Sequence, residues 1–584
     1  MFLNNINRIK KSIKKVVEYI KKHKILLIVI IIAFLLHMLV IIPSGSYYCY
    51  QKKCGLFFWG VHGHDGIWHI ALVNSAFNSI PFLIPTYGGA LLSGYNILLD
   101  YIIFLVSKIG INPLFIYFKI LPLIWFFAFL YIAIIFARKI KNSYIFTLFF
   151  LFFIFFGSSF GYLITLFKNG NIWESGGLFS MQAIQTLTNL QFAYSLILLL
   201  LILLLIMRKT INIKNIVILS ILVFIQFGLK FYAGIISGFL VGLYCLSLFL
   251  KKKYRIGFCQ LISLVLFGLL SIFLFYDPIS SLQSGSTFIF KPFALVHPII
   301  EDPSLFYLKN ITNARYYLIE QNKLSPRLII IEAFSLFLFL FFNFGTRILG
   351  FIYLIFKSIK KKVEEIEVYV FLTILFSVFL TIFFIQKGEW WNTIQFFYYA
   401  LFLSNIFISK FLYELIKKKK IIGIITSLII IIATIPVNID ILKSFVTFPS
   451  QYYISKDEIN ILKKLKDQPQ GTVLTQLYDK KAYYNEKTLP ASFSLYDDTS
   501  YIPAFSGKQV YLSDLMQLRI LGIDYRDRLE SIEKGDCGIL KDVKYVYYIK
   551  KQKTKLFKKC LKAWSPQLKK IYENKFATLY LNTK

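Results

Sequence analysis

A chain of 584 residues that is 57% hydrophobic and 18% aromatic, with mean hydropathy +0.63 and only 16% charged residues, carries more apolar surface than a water-soluble core can hide. That excludes a soluble nucleotide-sugar enzyme and defines a polytopic α-helical membrane protein. The net charge of +36 would suit a nucleic-acid binder in a soluble domain, but here Lys and Arg stand in short clusters between apolar runs. Such clusters act as topology signals and contacts to anionic headgroups, so no nucleic-acid partner is expected.

Residues 1–24 form a basic segment with apolar positions at Ile13, Val16, Val17 and Ile20, the pattern of an amphipathic helix on the cytoplasmic leaflet. The run 25–42 is long enough to cross a bilayer and lacks an A-x-A-like site after it, so it reads as an uncleaved anchor with a cytoplasmic N-terminus. The run 97–107 is too short to span, contains Asp100, and fits a helix on the outer membrane surface. Further spans are predicted at 114–137, 143–163, 183–206, 213–229, 232–250, 256–276, 328–356, 366–386, 393–414 and 420–439, about eleven in all. Arg138 to Lys141, Met207 to Lys209, Lys251 to Arg255, Lys357 to Lys362 and Lys417 to Lys420 then fall on the inner side. The bundle covers 25–440 with outer loops at 44–113 and 277–327. Its turn at Phe227 to Ala233 fixes the parity of everything downstream.

Residues 450–584 are polar and turn-rich, with a helical pattern in SKDEINILKKLKD, strand-like GTVLTQL and VKYVYYI, and a closing NKFATLYL. They predict an extracytoplasmic α/β domain. Ser455 and Glu458 have capping-box spacing. Cys49, Cys54, Cys537 and Cys560 fall on the outer side, where 49–54 and 537–560 can pair in an oxidising compartment, with four free thiols as the alternative.

The first outer loop concentrates the chemistry: GHDGIWHI places His64, Asp65, Trp68 and His69 together, two residues after His62, and IPFLIPTYGGALLSGYN follows. With the cytoplasmic N-terminus, the surface helices and the outer C-terminal domain, these stretches resemble the GT-C superfamily of polyprenyl-phosphate-sugar-dependent membrane glycosyltransferases. The resemblance covers the architecture and the segment Gly63 to Arg138. His64 stands before Asp65 where the family often has an acidic pair. It implies sugar transfer, with inversion, from a polyprenyl-phosphate donor to a glycan, lipid or protein acceptor at the outer face of the plasma membrane. A transporter, flippase or assembly factor for a lipid-linked glycan is the alternative.

Such transfer needs a base for the acceptor hydroxyl and cations for the departing phosphate. Asp65 is the candidate base. On a helix, His69 lies one turn along to orient it, with Trp68 as a sugar-stacking surface and His64 as a further substrate contact. The bland alternative makes Asp65 the N-cap of a helix over 66–77. A divalent metal held by His62, His64, His69 and Asp65 is a further possibility. For the phosphate, Lys230, Lys291 and Lys387 stand at outer span ends, and Lys230 is the most deeply embedded in apolar sequence. The resemblance sets the loop containing His297, Glu301 and Arg315 over the donor, against a plain salt-bridged surface helix. Trp391 and Asn392, with Gln395 on the same helix face, enter the substrate groove. Lys508, Asp514, Arg519 and Arg526 of the last domain either contact acceptor or solvate a helix.

Overall fold

The computed structural model describes residues 2–175, 178, 180–208, 212–276, 288–321, 325–477, 489–496, 499–552 and 554–583. The amphipathic pattern of the first residues forms α1 (Phe2–Lys22), and the apolar run after it forms α2 (Lys24–Ile41). Among the described residues, eight helices are long and apolar enough to cross a membrane, α2 among them, and a bent pair makes a ninth if it is one span. Leu190–Ile206 and Ile213–Leu229 are shorter apolar helices of the same bundle. The chain is thus an integral, polytopic helical membrane protein with a C-terminal α/β domain. Lys209, 277–287 and 322–324, all assigned above to loops or clusters, lie outside the described residues.

Two predicted spans are broken. The run 143–163 is not one helix but Tyr144–Phe156 and Gly161–Asn169, bent by 58°. The run 328–356 becomes Pro326–Phe344 and Ile348–Ile359 around a short 3-10 turn at Gly345–Arg347. One side chain joins both breaks: the guanidinium of Arg347, 2% exposed, donates to the carbonyls of Ser158 at 3.2 Å and Phe344 at 3.3 Å and to Asn405 Oδ1 at 2.8 Å. Carbonyls freed by a break inside a bilayer need a donor, and Arg supplies five. Gly157 is required here, since a Cβ would stand 2.3 Å from the guanidinium.

The predicted turn near Lys230 is a single extended residue between Ile213–Leu229 and Phe231–Leu250, two helices that pack against each other. The loop after α2 folds back as a hairpin of β1 (Ser46–Tyr50) and β2 (Lys53–Phe58), closed by the Cys49–Cys54 disulfide. The hairpin does not stand alone. β2 pairs antiparallel with β5 (Tyr452–Ser455), and β5 pairs parallel with β7 (Ala491–Ser492), so the first loop and the C-terminal domain share one sheet. Gly55 makes that crossing possible, because a Cβ would lie 1.9 Å from the Ile454 carbonyl oxygen.

A second sheet, in the order β6 (Val473–Thr475), β8 (Tyr545–Ile549), β10 (Ala577–Asn582), β9 (Leu568–Glu573), forms the core of that domain. The Cys537–Cys560 disulfide staples the layer beside it. Ser455 Oγ accepts from Glu458 N at 3.2 Å, but Glu458 does not reach back as a capping box requires. Its carboxyl is fully buried instead, against Tyr501 and Tyr547, and burial pushes its pKa up to about 8.

Candidate active site

The helix α3 (Asp65–Asn74) starts at the residue the sequence singles out and ends three residues short of the predicted 77. Asp65 is not its N-cap; His64 holds that position and neither side chain caps the helix. Gly66 lets the first turn press against Phe118, whose Cζ would be 2.8 Å from an added Cβ. Asp65 therefore faces a cavity of about 420 Å³ with its side chain 39% exposed.

His64 is clamped between two carboxylates. Its Nδ1 donates to Asp65 Oδ1 at 2.6 Å, and its Nε2 lies 3.7 Å from Oδ1 of Asp514, a fully buried residue of the C-terminal domain. Burial alone would lower the imidazole pKa, but the two carboxylates outweigh it and raise it well above the usual histidine range. Burial would likewise raise Asp65, yet the bond and charge of His64, with His69 and Lys230 further off, hold it below the usual carboxylate value. Asp65 is thus ionised at neutral pH, with Oδ2 unbonded among the described residues. Asp514 caps the helix Leu515–Leu521 through Gln517 N at 3.3 Å and accepts from Ser500 Oγ.

His69 does not orient Asp65. It sits on the predicted face of α3, but its Nδ1 pairs at 3.0 Å with Oδ2 of Asp100 on α4 (Leu98–Ser107). Gln191 donates to the other Asp100 oxygen at 3.1 Å and lies 2.9 Å from His69 Nδ1. The short run 97–107 is therefore more than a surface helix, because it carries a buried acid into the site. Burial lifts the Asp100 pKa above the usual range, with His69 and Gln191 pulling the other way. With Nδ1 so engaged, His69 Nε2 has no partner among the described residues and His69 lines the cavity.

Lys230, 7% exposed, lines the same cavity and makes no ion pair among the described residues. Trp391, Asn392 and Gln395 line the opposite wall, where Asn392 donates to Gln386 Oε1 at 2.7 Å and Tyr232 donates to the same oxygen at 3.1 Å. Trp68 also borders the cavity, but it is 0% exposed and packed edge-on to Tyr95 at 5.7 Å in the core beneath α3, so its ring offers no stacking surface. The Met516 to Ile520 stretch of the C-terminal domain closes one side.

Several predicted residues lie elsewhere. His297 and Arg315 bind Glu332 at 2.6 and 2.8 Å, and Arg315 binds Glu301 at 3.1 Å, a closed cluster that does not border the cavity. Lys387 is exposed and off the wall, while its neighbour Gln386 faces in. Lys291 is exposed as well. His62 turns away, donating from Nε2 to Val40 O at 3.0 Å, and burial drops its pKa to about 4. The three histidines therefore do not converge, and no group of three His, Cys, Asp or Glu suited to a metal occurs among the described residues. Arg519 pairs with Glu389 at 2.6 Å and Arg526 with Asp524 at the surface.

Sequence reasoning missed Asp100, Gln191, Tyr95, Tyr232 and Tyr398. An acid in an otherwise apolar run was the available signal for the first, and a glutamine opening an apolar helix for the second.

No family model matches the sequence, and no curated protein matches it. By fold the chain is similar to the archaeal oligosaccharyltransferase AglB from Archaeoglobus fulgidus, solved with an inhibitory peptide and a dolichol-phosphate, with a TM-score of 0.49 and 13% identity over 91% of this chain and 70% of that one. A second structure of the Archaeoglobus fulgidus oligosaccharyltransferase, with Zn and sulfate, gives 0.47 and 14% over 89% and 68%. ArnT from Cupriavidus metallidurans, bound to undecaprenyl phosphate, gives 0.36 and 8% over 95% and 97%. These likenesses are remote.

Proposed function

We propose that the chain is a membrane glycosyltransferase that moves a sugar from a polyprenyl-phosphate donor to an acceptor hydroxyl at the extracytoplasmic face, with Asp65 as general base. One observation supports this above all others. A single cavity at the junction of the bundle and the C-terminal domain holds an ionised carboxylate and a buried ammonium, the carboxylate with one oxygen and the ammonium without a partner among the described residues, together with an aromatic, largely apolar wall.

In this reading the acceptor hydroxyl lies against Asp65 Oδ2 and attacks the anomeric carbon as the carbon–oxygen bond to the phosphate breaks. The hydroxyl proton passes to Asp65, and the bonding pair leaves with the polyprenyl phosphate. One displacement inverts the anomeric centre. The Asp65 carboxylate is a weak base toward a ground-state alcohol, but the hydroxyl becomes acidic as it bonds to an oxocarbenium-like carbon. Lys230 and the His64 imidazolium then offset charge on the leaving phosphate. Ile272, Phe231, Phe288 and Ile520 give the prenyl chain an apolar path along the wall. Asn392, Gln395 and Trp391 would hold sugar hydroxyls and a ring face.

The test is transfer from labelled polyprenyl-phosphate sugars in membranes, comparing the natural chain with Asp65→Asn at matched expression. Transfer lost in the variant supports the proposal. Transfer that survives moves the base to His69, whose Nε2 is the other free acceptor. No transfer by the natural chain from any donor favours a transporter or assembly factor.

A further inference from the structure

A second cleft, of about 590 Å³, lies at the far end of α3 from Asp65. It is bounded by the end of α3, the turn after α4, the helix Lys456–Lys466 and the Ala504 to Lys508 segment. Lys108, Lys463, Lys466 and Lys508 line it, and no Asp or Glu does. None of these four ammonium groups pairs with a carboxylate among the described residues.

 Lys508 is the most telling of the four. It is only 3% exposed, and its Nζ donates to the Lys466 carbonyl at 3.1 Å. Burial, with the charges of Lys466 and Lys544, holds its pKa below the usual lysine value, and Asp467 offsets this only in part. Keeping a cation in that position is costly unless an anion completes it.

The surrounding domain has the same bias. Residues 450–584 carry 25 Lys and Arg against 15 Asp and Glu. All four cations in the cleft are Lys rather than Arg, which suits phosphate held by point charges better than carboxylate held by a planar fork. Asn78, Ser107 and Gln470 add neutral polar groups between them.

We propose that this cleft binds phosphodiester groups borne on a polyhydroxyl chain. If the reading of Asp65 is right, that chain is the acceptor: α3 runs from the cleft to Asp65, about 14 Å by helix rise, so a chain anchored at the lysines reaches the base. The same phosphodiester chemistry could come from the headgroup of an anionic lipid, since the run Pro113–Ile140 enters the membrane beside the cleft.

The experiment measures binding of a fluorescent glycerol-phosphate oligomer to the detergent-solubilised full chain, and in parallel the retention of phosphatidylglycerol against phosphatidylcholine in nanodiscs. Three proteins are compared: the natural chain, the surface charge reversal Lys108→Glu with Lys463→Glu, and the control Lys387→Ala, which removes an exposed lysine that lines neither cavity. Lys508→Ala is informative only if its thermal unfolding matches the natural chain; the two exposed lysines keep the test decisive if it does not. Oligomer binding weakened roughly tenfold or more by the charge reversal, and unchanged by Lys387→Ala, supports an acceptor-derived phosphodiester. Lipid retention alone showing that loss assigns the cleft to a headgroup. Neither ligand responding to the charge reversal overturns the site. Because binding is read without transfer, failure of the Asp65 reading leaves this outcome distinguishable.

Discussion

Two clusters in this molecule pair a histidine with a carboxylate at 2.6 Å, His64 with Asp65 and His297 with Glu332. They differ in what is left over. In the second, Glu332 takes both His297 and Arg315, while Glu301 takes Arg315 and Tyr316. In the first, Asp65 Oδ2, His69 Nε2 and the Lys230 ammonium have no partner among the described residues, and all three residues line one cavity. A short ion pair does not mark a site by itself. The mark is unspent bonding capacity kept in a buried place, because burial makes that capacity costly unless a ligand uses it.

The largest expected effect comes from removing the free carboxylate. Asp65→Asn keeps the shape and the neighbour of His64 but should lower transfer by about 10²- to 10⁴-fold, the usual contribution of a positioned base. Initial rates in membranes, at matched expression, check it. A loss of that size with Glu332→Gln and not with Asp65→Asn would reverse the assignment of the two clusters.

Asp514→Asn is a gentler way to break the clamp. Asn still caps the helix Leu515–Leu521, so the domain should keep its fold. The change removes one of the two charges that raise the His64 pKa. A group whose folded pKa is raised contributes stability below its unfolded value, near 6.5, and loses it as pH rises through the folded value. In the variant that loss comes earlier. The alkaline limb of transfer should therefore move to lower pH, with a smaller change at pH 6. An unshifted profile would mean that the imidazolium takes no part.

Glu458 gives a smaller effect that is read as stability rather than rate. Its folded pKa of about 8 exceeds the ordinary 4.5, so the stability it contributes is full below about pH 4.5 and is lost as pH rises toward 8. The cost is on the order of 1 kcal/mol for each pKa unit of the displacement. Glu458→Gln should flatten that slope, and thermal unfolding of the full chain at pH 5 and pH 8 would show it. Equal slopes in both proteins would show that the carboxyl is not held neutral.

Much of this was legible in the sequence because hydropathy is local. A bilayer demands a continuous apolar run, so the long helices and the polar last domain could be read residue by residue. Asp65 and Lys230 were legible for a related reason, each being a charge set in apolar surroundings. What failed was anything that depends on a distant partner. Asp100 stood in its run as a bare acid, with no sign that His69 and Gln191 would meet it. The break at Gly157 needed Arg347, nearly two hundred residues on in the chain. The shared sheet of β2 and β5 could not be inferred from either strand alone. Conversely, Lys387 looked like Lys230 in sequence, yet one lies exposed and the other is buried on the cavity wall.

That last contrast yields the smallest expected effect and a sharp control. Lys387→Ala removes an exposed ammonium, and surface substitutions of this kind usually change stability by no more than about 0.5 kcal/mol. Transfer should stay within about threefold of the natural chain. Lys230→Met removes an ammonium of similar length from the cavity wall and should weaken transfer far more, by roughly tenfold or greater, because an electrostatic contact to a departing phosphate is lost where water cannot replace it. Comparing the two variants at equal expression removes one positive charge in each and sets an exposed position against one on the cavity wall. Equal rates for both would remove Lys230 from the phosphate site and leave the His64 imidazolium as the remaining cation among the described residues of the cavity wall.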